Sequence, residues 1–159
     1  MVAKTDPMDA PYPDLPAYPC KHFTWREVAC KHCGGFPPRH YFSMAAWSHC
    51  CRLATLLRAG LGKPLIVSSW WRCRKHPDEV KKDHFGEHVL LSAMDFRVYG
   101  MDAYLAMRTA AHYGFMEGLN LGIGVNARGP YQTRFVHVDF VDLFQSAHFA
   151  NMRPWLWSY

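Results

Sequence analysis

The chain has 159 residues and a mass of 18.4 kDa, with half of its residues hydrophobic and 15% aromatic, enough for one domain with a real core. No apolar run approaches the ~18–20 residues of a membrane span, and the opening Met1-Val2-Ala3-Lys4-Thr5-Asp6-Pro7 lacks the apolar stretch of a secretory signal; the expectation is a soluble chain made in the cytoplasm. Its net charge of +5 is scattered, without the dense basic patch or motif of a nucleic-acid binder, and suits an anionic polymer only weakly.

Residues 1–19 hold five of the eleven prolines and no hydrophobic period, so residues 1–21 are expected to form an extended proline-rich arm and residues 22–159 a single domain. Thr24-Trp25-Arg26-Glu27 matches a capping box and predicts a short helix ending near Gly34-Gly35. From Ser43 to about Arg58, Trp47, Cys50, Cys51, Ala54 and Leu57 recur at helical spacing before Gly60, Gly62 and Pro64. Leu65-Ile66-Val67 reads as a buried strand. Of the adjacent Trp70 and Trp71, one is expected to face the core and the other a groove. A further helix is expected from Asp102 as N-cap to Gly114.

The six cysteines are Cys20, Cys30, Cys33, Cys50, Cys51 and Cys73. Cys20-Lys21-His22 with Cys30-Lys31-His32-Cys33 has spacing compatible with a small structural zinc site. Buried thiols with one bridge are the other reading, and absence of an export signal favours reduced thiols.

Two segments carry the chemistry. His88-Val89-Leu90-Leu91-Ser92-Ala93-Met94-Asp95 and, 42 positions after Asp95, His137-Val138-Asp139 supply two imidazoles and a carboxylate, the ligand set of a catalytic zinc with its fourth position left to water. Alternation over Ala93–Val98 puts Met94, Phe96 and Val98 on one face and Asp95 on the other; over Phe135–Val141 it separates Val136, Val138 and Phe140 from His137 and Asp139. A helix between His88 and Asp95 would part them by ~10 Å, so a turn entering a strand is expected. Gly122-Ile123-Gly124-Val125 is a neighbouring strand candidate. His84, four before His88, is the one stand-in ligand.

These segments resemble the zinc D-alanyl-D-alanine carboxypeptidases and related peptidoglycan peptidases, whose fold is shared by the hedgehog signalling domain. The resemblance rests on His88 through Asp95, on His137-Val138-Asp139, and on His22-Phe23-Thr24-Trp25-Arg26-Glu27, Leu61 through Val67, Ser69-Trp70-Trp71-Arg72-Cys73 and Gly122-Ile123-Gly124, in order over roughly residues 22–140. It implies an α+β fold, a small antiparallel sheet with helices packed on one face and a zinc cleft on the other. It also implies His88, Asp95 and His137 as zinc ligands, and Arg72 as the residue that holds a substrate carboxylate or steadies the oxyanion. The implied activity is hydrolysis of peptide bonds in peptidoglycan stem peptides or cross-bridges, as a D-alanyl-D-alanine carboxypeptidase or endopeptidase. Such an enzyme would act at the cell wall or be carried on a virion, with the N-terminal arm and C-terminal aromatic tail contacting phage tail or other assembly proteins.

Gly86 stands where the family has Ser, and Leu91 where it has Gly. Leu adopts a positive φ less readily, so a rearranged loop between the ligands or a narrowed cleft is expected. Arg134 and Phe135 occupy positions where family branches place a catalytic base. Asp139, on the face of His137, is then either the base or an orienting partner of a ligand histidine; Glu87 is a weaker candidate for the base. The departures also permit a catalytically impaired zinc-bearing module that binds wall peptides, or a purely structural virion protein.

Overall fold

The computed structural model describes residues 11–16, 18–41, 44–119, 121–140 and 155–158. The elements run α1 (Trp25–Val28), α2 (Met44–Leu61), β1 (Leu65–Ser69), β2 (Ala93–Val98), α3 (Ala103–Met116), β3 (Gly122–Asn126), β4 (Phe135–Asp139) and β5 (Trp155–Ser158). One sheet is ordered β1-β2-β4-β3-β5. The first four strands pair antiparallel, and β5 adds to β3 in parallel, docking that part of the tail against the sheet. The fold is α+β with a small antiparallel sheet, as the sequence predicts.

The Glu27 carboxylate, at 2.7 Å from the Thr24 backbone N–H and 3.0 Å from its hydroxyl, closes a capping box at α1. That helix ends at Val28, earlier than expected. Residues 30–35 form a tight turn instead, in which Cys30 N–H donates to Gly35 O at 2.9 Å and Gly34 N–H to Cys30 O at 2.8 Å. α2 buries Trp47, Cys50, Leu53, Ala54 and Leu57 along one stripe. Trp47 lies against both Trp25 and Trp70, each at 5.2 Å between ring centroids, so an aromatic stack joins α1, α2 and the segment after β1.

Asp102 caps α3 by accepting from Tyr104 N–H at 2.8 Å. The helix then runs through Gly114 to Met116. Gly114 is a packing position and not a stop: a Cβ there would lie 2.2 Å from Leu121 Cδ1. With Ala103, Ala106 and Ala110 it forms a buried small-residue stripe that lets the helix sit close to β3 and β4. The apolar face of the sheet, including Met94, Phe96, Val136, Val138 and Ile123, belongs to the same core. The described part of the proline-rich segment lies on this core, with Leu15 buried and Pro16 O accepting from Trp25 Nε1 at 3.0 Å. Residues 1–10 of the arm and residues 153, 154 and 159 of the tail fall outside the described residues.

Candidate metal centre

Antiparallel pairing sets Asp95 opposite His137 and Ala93 opposite Asp139, with Gly124 and Gly122 across from His137 and Asp139 on β3. Strand alternation thus turns the candidate ligands of β2 and β4 onto one face. His88 arrives from a turn. Val89 and Leu90 N–H groups donate to Gly86 O at 3.0 and 3.2 Å, and Leu91 N–H to His88 O at 3.3 Å. Leu91 then reverses the chain into β2 with a φ of 59°. The left-handed step at this position is thus made by a non-glycine residue. Leu91 tolerates it because its side chain is wholly buried in the core.

Ligand atoms of His88, Asp95 and His137 lie within 4.8 Å of one another. His88 Nε2 is 3.2 Å from Asp95 Oδ1 and 3.3 Å from His137 Nδ1, and His137 Nδ1 is 2.7 Å from Asp95 Oδ1. The outward ring nitrogens face oxygens: His88 Nδ1 is 2.6 Å from Trp70 O, and His137 Nε2 is 3.3 Å from Asp139 Oδ2. Those partners favour N–H on the outer nitrogens, which turns His88 Nε2 and His137 Nδ1 inward as lone pairs beside a carboxylate oxygen. Three such donors repel one another unless a cation or proton sits among them. A tetrahedral ion with ligands at ~2.0–2.1 Å has edges of about 3.3–3.4 Å, close to two of the three separations. The third is a hydrogen-bond length, in keeping with a proton held between His137 and Asp95. The donor set therefore fits a zinc-like ion.

Electrostatics agree with this geometry. Burial alone would raise the Asp95 carboxyl, but the imidazoles of His88 and His137 hold it well below the usual carboxylate range. Burial alone would lower His137, yet the Asp139 and Asp95 carboxylates raise it to about 9. All four side chains are buried.

Arg72 faces the centre from the side. Its Nη2 donates to Asp95 Oδ2 at 2.5 Å, its Nε to Ser69 Oγ at 2.9 Å, and its Nη1 lies 3.2 Å from Asp78 Oδ2 and 3.6 Å from Glu79 Oε1. The guanidinium thus holds the outer oxygen of a candidate ligand, where the resemblance implied a clamp on substrate. Asp139 stands on the outer nitrogen of His137, the placement of an orienting partner. His84 is exposed and pairs with Asp83, and Glu87 lies 3.8 Å from Lys82; neither belongs to the ligand cluster. Trp70 and Trp71 are both buried, so the expected division between core and groove does not occur. Trp71 Nε1 donates to Val89 O at 3.2 Å and Arg72 N–H to His88 O at 3.4 Å, which laces the two loops together.

Glu79 and Lys82 carry no local sequence signal that ties them to this region. Glu79 is fully buried, with Oε1 3.2 Å from Lys82 Nζ and Oε2 without a hydrogen-bond partner among the described residues. A Cβ on Gly86 would stand 2.3 Å from Glu79 Oε2 and 2.4 Å from Lys82 Nζ. The glycine that replaces the family's serine is what makes room for this pair. Its absence of a side chain was the one available signal, and it did not name the occupants. A cavity of about 480 Å³ lined by Ile66, Arg97, Tyr99, Tyr131 and Arg134 lies elsewhere along the strands and contains none of the candidate ligands.

A buried His-Asp-His cluster on the polar face of an antiparallel sheet, with helices on the other face, defines a candidate mononuclear metal site on an α+β scaffold. The sequence model of the Peptidase M15 family matches residues 21–139, and the chain belongs to that family of metallopeptidases. No curated protein and no solved structure matches the chain. No described helix is long and apolar enough to cross a membrane.

Proposed function

We propose that this protein is a zinc-dependent peptidase that cuts peptide bonds in peptidoglycan stem peptides or cross-bridges, as a D-alanyl-D-alanine carboxypeptidase or an endopeptidase, in a phage lytic or tail-associated role. The observation that carries the reading is the convergence of His88 Nε2, Asp95 Oδ1 and His137 Nδ1, each with its outer atom held by another group. His88, Asp95 and His137 would hold the ion. Bound zinc supplies a water with a pKa near ~7 and polarises a carbonyl. The protein's own residues do the positioning: Trp70 O and Asp139 select the ring tautomers, and Arg72 keeps Asp95 Oδ1 turned inward. The wall substrate and the virion setting rest on the sequence resemblance.

A second reading, a zinc-bearing module with impaired catalysis, draws on the burial of all four site residues and on Arg134 and Phe135 where relatives place a base. Incubating the zinc-loaded protein with purified peptidoglycan and separating the products by mass decides between them. Released D-alanine or split cross-bridges, abolished by His88→Ala, support the peptidase. Stoichiometric zinc at the His-Asp-His centre without cleavage supports the module.

A further inference from the structure

We infer that Cys30, Cys33 and Cys73 bind a second zinc ion, one that is structural and separate from the His88, Asp95, His137 centre. Their sulfurs all lie within 4.8 Å of one another, and all three thiols are free. A tetrahedral thiolate site with Zn–S of ~2.3 Å needs sulfurs about 3.8 Å apart, within reach of small side-chain rotations. Sequence spacing had grouped Cys20 with Cys30 and Cys33. The fold brings Cys20 to Cys51 instead and supplies Cys73 from the segment after β1.

The turn at Cys30 is built to receive a metal. Gly34, just after Cys33, takes a φ of 70° and closes the CxxC into a tight loop. Cys73 N–H donates to Cys30 Sγ at 3.3 Å, and the backbone N–H groups of Cys33 and His32 also face that sulfur. Three donors aimed at one sulfur suit a thiolate better than a thiol. Burial pushes the Cys30 thiol up, but these groups hold it below its ordinary value. The three sulfurs leave the fourth position of a tetrahedral ion open. The three sulfur donors select zinc over magnesium or calcium.

Such an ion would tie the exit of α1 to the chain immediately after Arg72. Trp71 N–H already donates to Val28 O at 3.1 Å across the same junction. The metal would brace the segment whose guanidinium holds Asp95, a role in positioning and stability rather than in the reaction.

The test is metal analysis of protein purified under reducing conditions with zinc supplied. The expected result is a His88→Ala/His137→Ala variant that retains one zinc per chain, with X-ray absorption showing a sulfur-dominated shell at ~2.3 Å. In wild-type protein, cobalt titration should give a thiolate charge-transfer band that is absent from Cys33→Ser. This cobalt measurement needs no folded histidine variant. Absence of the band in wild type, a zinc-free folded histidine variant, or a non-reduced mass showing a disulfide among these cysteines under the same conditions overturns the inference. Thiolate-bound zinc in a protein whose histidine centre binds none would leave this site standing while removing the peptidase reading.

Discussion

Arg72 Nη2 and Asp95 Oδ2 meet at 2.5 Å, while the other oxygen of the same carboxylate faces both imidazoles. The guanidinium and the ion site thus take opposite sides of one carboxylate. That arrangement presents Asp95 as a one-oxygen ligand and fixes which oxygen is used.

Arg72→Ala should weaken zinc binding at the histidine centre by ~10–100-fold, the usual effect of losing a group that orients a ligand. Arg72→Lys should recover little of it, because a single ammonium cannot reach Asp95, Ser69 and Asp78 together as the planar fork does. Competition with a chromogenic chelator measures both. Unchanged affinity in Arg72→Ala, with only substrate KM raised, would return Arg72 to the role of substrate clamp.

Asp139→Ala separates the two roles open to that carboxylate. As an orienting partner 3.3 Å from His137 Nε2, its loss should lower zinc affinity by ~10–100-fold and lower kcat in the metal-saturated enzyme only modestly. A base would show the reverse pattern, intact zinc affinity with hydrolysis nearly abolished.

Leu91 combines a left-handed backbone with a buried side chain. Truncating the side chain costs about 2–5 kcal/mol, whereas the left-handed conformation costs a non-glycine residue about 1–2 kcal/mol. Both Leu91→Ala and Leu91→Gly should therefore be destabilised, and the glycine variant should be the more stable of the two by about 1 kcal/mol. Urea denaturation compares them directly. A glycine variant less stable than the alanine variant would mean that backbone strain at this position is negligible.

Gly86→Ser should destabilise the fold by about 1–3 kcal/mol through overpacking. Lys82 is partly exposed and can swing away, but Glu79 is fully buried and cannot. Combining Gly86→Ser with Glu79→Ala should therefore give a loss smaller than the sum of the single losses, a coupling that a double-mutant cycle reads. Strict additivity would show that the serine meets no obstacle from Glu79.

The pH dependence of the metal-free protein follows from His137 and Asp95. His137 is raised from 6.5 to about 9 in the fold, so its contribution is fully present below pH 6.5 and is lost as pH rises through about 9. Asp95 is lowered from 3.8, so its contribution is present above that value and is lost as pH falls further below it. Thermal melts of chelated protein should show Tm falling between pH 6.5 and 9, with a shallower fall in His137→Gln, which keeps the cysteines. Zinc must displace the His137 proton, so affinity at this centre should drop about tenfold per pH unit below ~9. A pH-independent zinc affinity between 6 and 8 is incompatible with that proton.

Strand alternation was enough to predict that Asp95 and His137 share a face and that Met94, Phe96, Val136 and Val138 do not, because a period of two is carried by adjacent residues. The capping box of α1, the stripe of α2 and the Asp102 cap of α3 were legible for the same reason: each depends on side chains within a turn or two of one another. Gly114 has the local pattern of a stop but lies within α3, because its reason for being glycine is Leu121, beyond the helix end. Trp70 and Trp71 do not alternate as strand neighbours would, because the chain leaves β1 at Ser69 and no longer follows a strand period.

The sequence by itself determined the candidate ligand set, the turn-then-strand path from His88 to Asp95, and membership in a family of zinc peptidases. Only the tertiary structure decided which ring nitrogen of each histidine faces inward, because that depends on Trp70 O and the Asp139 carboxylate, and a backbone carbonyl looks alike in every residue. It alone also placed Arg72 on Asp95, fitted Glu79 and Lys82 against Gly86, and exchanged Cys20 for Cys73 beside Cys30 and Cys33. These pairings close loops between segments with no shared period, so they are set by how the elements pack and leave no local pattern to read.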